Sequence, residues 1–172
     1  MSLGGSTSSD GQPTASAPAP RTVAHMFGEI VWIMTRSPVH KHLSLADLEW
    51  TVMPALMLEQ YRLFHEGTAP VGVAIWAFLS DEVAARMQEP NFRLRPDQWR
   101  SGTQPWVIDV VVAGEAIARA QLAMLQDLRT KVFPTQTVWT RRVNAMTQQV
   151  ETFEIKPEDP TAGVAEPPSS QN

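Results

Sequence analysis

"PWVIDVVVAGEAIARAQLAMLQDLRTKVF", Pro105 to Phe133, decides the fold class. Nine residues rich in β-branched and aromatic side chains read as a strand from Pro105 to Ala113. Gly114 breaks it, and an Ala- and Leu-rich segment then reads as a helix to about Phe133. A strand feeding a helix through one glycine is the unit from which mixed α/β sheets are built.

Upstream, Gln60–His65 and Pro70–Leu79 read as a hairpin turning at Glu66-Gly67-Thr68. The second of these strands is almost wholly apolar, as for a strand covered on both faces. Downstream, two further strands are expected near 136–143 and 148–155. Val23, Met26, Phe27, Ile30, Val31 and Met34 line one face of a helix that Thr22 caps and Pro38 stops. Ser44 and Asp47 form an S-x-x-D capping box, with Leu43 and Leu48 as its staple, and Pro54 kinks or ends that helix. Ser80 caps a short helix, and Asn91–Gln104 reads as a long polar loop. The expected class is α/β (α+β), one domain over 22–155 with a mixed central sheet flanked by helices. The small, polar, Pro-rich segments 1–21 and 156–172 read as a disordered arm and tail.

The bulk numbers exclude several function classes. A net charge of −4 gives the whole chain no electrostatic reason to bind nucleic acid. The absence of cysteine removes disulfides, thiolate metal sites and a cysteine nucleophile. No apolar run approaches the roughly 20 residues of a membrane span, and no secretory signal opens the chain, so a soluble cytoplasmic protein is expected.

Candidate chemistry starts at Asp109, set between Trp106-Val107-Ile108 and Val110-Val111-Val112. A carboxylate in such a strand needs a partner or a place at a cleft edge. A histidine is the natural partner; backbone N–H groups or an arginine are the alternative. "SPVHKH", Ser37 to His42, holds half of the four histidines in a loop or short extended piece. Its H-x-H spacing lacks the third ligand a zinc site needs, so no metal is assigned. Gly114-x-Ala116, at a helix start, partly fits the pyrophosphate loop of GNAT-type acetyltransferases. Arg93, Arg95 and Arg100 form a basic group suited to a phosphate or an acidic protein, or a solvated loop.

Several segments taken in order resemble the RTX toxin-activating lysine acyltransferases, the hemolysin-activating type. They are "GEIVWIMTRSPVHKHLSLADLEWTVMPAL", "PVGVAIWAFLSDEV", "RLRPDQWRSG" and "PWVIDVV". The resemblance implies a GNAT-like fold and a fatty acyl group taken from acyl-acyl carrier protein, with no permanently bound cofactor. It implies internal lysines of an RTX protoxin as acceptors, in the cytoplasm, and leaves a homodimer open. It places the family's catalytic histidine on His40, its serine on Ser37 and its aspartate on Asp109. The family's Pro-Phe-Gly segment after the aspartate strand is absent, and Val110–Glu115 runs straight into the helix. Two other readings stand beside it: a non-catalytic binder of carrier protein or toxin, and an acetyl-CoA-dependent small-molecule transferase.

Overall fold

The structure, a computed structural model, describes residues 22–114, 117–144 and 146–157. The arm expected over 1–21 and the tail from 158 onward lie outside the described residues, as does Ala116.

Five strands form one mixed sheet in the order β1-β2-β3-β4-β5: Tyr61–Glu66, Ala69–Leu79, Gln104–Val112, Val138–Val143 and Val150–Ile155. Three of the four pairings are antiparallel, and β3 runs parallel to β4. A parallel pair needs a long crossover, and α5 (Ile117–Asp127) supplies it. Gly67, at φ +60°, lets β1 turn into β2 within two residues. Trp106 and Trp139, partners across the parallel pair, stack at 5.9 Å.

α1 (Val23–Thr35), α2 (Leu45–Thr51), α3 (Met53–Met57) and α4 (Asp81–Arg86) lie on the side of a core built on Ile30, Ile33, Leu48, Leu56, Val73, Ile75 and Val111. Ala74, Trp76, Val107, Val112, Met124, Leu128 and Phe133 form a second core on the other side, under α5. The helix expected to run to Phe133 gives way after Asp127 to a π-helical turn, Leu128–Val132. The wider turn brings residues five apart closer to one face. It lets both Leu128 and Phe133 bury themselves, at 1% and 3% exposure.

As expected, α2 ends before Pro54, with Val52 as its C-cap; α3 then restarts with the proline in its first turn, where its missing N–H costs nothing. One other expectation is corrected. The stretch 91–104 is not a solvated loop, because Phe92, Leu94 and Trp99 are buried in it. Gln60, 1% exposed, donates to the carbonyls of Trp76 and Trp99, both at 3.0 Å. This ties the stretch to β2. Gly102 approaches so closely that a Cβ there would lie 2.5 Å from the Leu79 carbonyl oxygen. Among the described residues no helix is long and apolar enough to cross a membrane.

Candidate active site

The register between β2 and β3 slips once. Ile75 faces Asp109 and Trp76 faces Val107, leaving Ile108 as an extra residue, a β-bulge. A bulge resets the alternation of side chains beyond it. Before it Trp106 and Ile108 pack on the α1–α4 side and Val107 on the α5 side; after it Val111 lies on the α1–α4 side and Val110 and Val112 on the α5 side. Strict alternation would put Asp109 with Val107, under α5. The bulge sends it to the opposite side.

His40 waits there. His40 to His42 is neither loop nor extended piece. α1 ends at Thr35, and His40–His42 forms a single 3₁₀ turn in which the Lys41 N–H bonds the Ser37 carbonyl. Both ends of the turn are tied down. The capping box is complete, with the Ser44 N–H on the Asp47 carboxylate at 2.9 Å and the Asp47 N–H on the Ser44 hydroxyl at 3.3 Å. At the other end the N–H of Gly114, at φ +93°, donates to the carbonyl of Arg36, joining the end of β3 to the residue before Ser37. Removing the cap should loosen this turn. Ser44→Ala is expected to cost about 1 kcal/mol of stability, measured by urea unfolding.

Three side chains then form a chain of hydrogen bonds. Ser37 Oγ lies 2.8 Å from His40 Nδ1, and His40 Nε2 lies 2.9 Å from Asp109 Oδ2. With Asp109 ionised, Nε2 carries a hydrogen in both charge states of the ring. In the neutral ring Nδ1 is therefore the acceptor and takes the Ser37 hydroxyl proton. Exposure rises along the chain. Ser37 is 3% exposed, the His40 side chain 15% and the Asp109 side chain 36%, and Asp109 lines a groove of about 350 Å³ with Gln121, Thr140 and Arg142. Burial disfavours a charged ring, but the hydrogen bond to Asp109 and its negative charge outweigh it. The His40 pKa is raised above the ordinary 6.5.

The other candidates are placed elsewhere. Arg95 pairs with Asp97 at 2.9 Å on the surface, and Arg93 reaches Asp47 at 3.4 Å. Arg100 braces the fold, bonding the Gln60 side chain and the Leu58 carbonyl. Gly114 has its N–H on Arg36. His42 is exposed. Among the described residues no cluster of three or more histidine, aspartate or glutamate side chains could hold a metal. In the sequence Arg141 stands out only as half of a small basic cluster with Arg142. Its guanidinium donates to the carbonyls of Met87, Glu89 and Phe92 at 2.7–2.8 Å and fixes the turn after α4. A basic pair on an interior strand does not show which carbonyls its guanidinium will reach.

The family model for the RTX toxin acyltransferase family matches residues 19–155, which takes in the whole sheet and all three residues of this chain of hydrogen bonds. The chain belongs to the RTX toxin acyltransferase family. It is 36% identical over 84 residues to a leukotoxin-activating lysine-acyltransferase of Aggregatibacter actinomycetemcomitans, covering 49% of this chain and 50% of that protein. To the RTX-II toxin-activating lysine-acyltransferase of Actinobacillus pleuropneumoniae it is 33% identical over 85 residues, 49% and 53% of the two chains. A protein-lysine myristoyltransferase of Kingella kingae is 30% identical over 83 residues, 48% and 50%. The chain thus spans about half the length of the curated relatives it matches within this family.

Proposed function

We propose that this protein is a protein-lysine acyltransferase that moves a fatty acyl group from acyl-acyl carrier protein to internal lysines of an RTX protoxin, in the cytoplasm. The observation that supports it most is the Ser37–His40–Asp109 hydrogen-bond chain at the groove edge. The lysine ammonium gives one proton to solvent to free its lone pair, and its nitrogen must shed a second proton to a base as it attacks. His40, whose ring is more open than the buried Ser37, takes this second proton directly or through a water as one of its two resting hydrogen bonds gives way. The imidazolium so formed is held by Asp109, whose charge has already raised the ring's basicity. The new N–C bond forms as the thioester C–S bond breaks. The departing thiolate takes the proton back from His40, which leaves an amide, a free thiol and the resting ring.

An acidic carrier needs a basic landing place on a net-negative enzyme. Exposed Lys41 and Arg93, 81% exposed and held to Asp47 only at 3.4 Å, are the cations that fit this role, because Arg95 and Arg100 are held more closely by partners within the chain. Donor choice tests the reading. Supplied with long-chain acyl-carrier protein, acetyl-CoA and a lysine-bearing RTX fragment, the protein should consume the carrier thioester and spare acetyl-CoA. The opposite preference would remove the carrier from the account.

A further inference from the structure

A cavity of about 230 Å³ lies between α2 and the segment that follows α4. Its walls include Leu43, Trp50, Phe92, Leu94, Trp99 and Ile108. Two of these residues are chain neighbours of the site. Ile108 is the bulged residue before Asp109, and Leu43 closes the turn that carries His40. Trp99 is 1% exposed, and its indole N–H has no hydrogen-bond partner among the described residues. The Arg141 clamp on Met87 and Phe92 holds the far wall in place.

The cavity is smaller than the roughly 300–1,000 Å³ that encloses a whole small molecule. It continues outward, however. A second hollow of about 390 Å³ shares Asp47, Trp50, Arg93 and Leu94 with it and adds Ala46 and Arg95. The two together form an apolar track that runs from Leu43, the residue after the His40–His42 turn, out past Trp50, with the Arg93–Asp47 pair on its rim.

We infer that this track seats the hydrocarbon chain of the donor, its carbonyl end toward His40, and that its walls set the chain length accepted. The inference rests on the acyl-transfer reading above. A linear apolar chain is the ligand that a narrow, apolar, two-part track walled by chain neighbours of an acyl-transfer site can take.

Fatty acids brominated at the terminal carbon serve as the probe, because bromine quenches nearby tryptophan fluorescence and Trp50 and Trp99 both line the track. With the full chain, affinity should rise severalfold for each added methylene until the track is filled. Trp50→Phe and Trp99→Phe should each remove part of the quenching. Leu43→Glu, at an exposed position on the rim that tolerates a charge, should weaken binding by at least tenfold. Absent quenching, or quenching unchanged in both tryptophan variants, overturns the inference. His40→Ala should still bind the probe. Loss of transfer with binding intact therefore speaks to the catalytic reading, and loss of binding with transfer intact speaks to the track.

Discussion

His40→Ala is expected to lower lysine acylation by about a thousandfold, with little change in stability. A positioned general base contributes roughly 10²–10⁴ in rate, and a thousandfold corresponds to about 4 kcal/mol of transition-state stabilisation. No other group described here is placed to replace it, because Ser37 and Asp109 act through the same ring. The fold should survive. The alanine leaves Asp109 without its histidine, but that carboxylate is 36% exposed and water can solvate it. The part-buried hydrogen bond to His40 is worth on the order of 1 kcal/mol. Turnover and urea unfolding measured on the same preparation separate the two effects. Retained turnover would remove His40 as the base, and a collapse in stability would make the loss of activity uninformative about chemistry.

Asp109→Asn should combine a large loss of rate with a shift in pH dependence. Burial lowers the His40 pKa, and the hydrogen bond and charge of Asp109 raise it by more. The asparagine removes the charge and leaves the burial, so the ring becomes less basic. In the natural protein kcat/KM should rise with pH through a value above 6.5, as the ring loses its proton and becomes a base. In the variant that rise should move to lower pH, with a lower plateau because the imidazolium has lost its counter-charge. A rise that stays in place would show that Asp109 does not set the basicity of the catalytic group. Stability follows the same linkage with its own sign. A raised histidine pKa in the folded state stabilises the fold fully below the unfolded value of about 6.5, and that contribution fades as pH climbs through the folded value. The variant should lose this dependence.

Much of this arrangement was legible in the residues, for physical reasons that differ from place to place. The capping box of Ser44 and Asp47 and the β1–β2 hairpin are local, and local signals survive without tertiary context. Asp109 announced itself because a carboxylate among six apolar neighbours needs an explanation. The bulge that aims it was not legible, since an extra residue in β3 shows only against the register of β2. The 3₁₀ turn at His40 depends on the packing of α1 against the sheet. The segment 91–104 was misread because its arginines and polar side chains outnumber Phe92, Leu94 and Trp99, which the tertiary structure buries. The apolar track therefore had no signature in sequence order. Its walls come from five separate stretches of chain.

The most direct test of the central claim is peptide mapping by mass spectrometry. An RTX protoxin fragment is incubated with long-chain acyl-carrier protein and either the natural protein or His40→Ala. The account predicts a fatty acyl mass on internal lysines with the natural protein and none above background with the variant. Unmodified lysines with the natural protein, or equal modification with both, would contradict it.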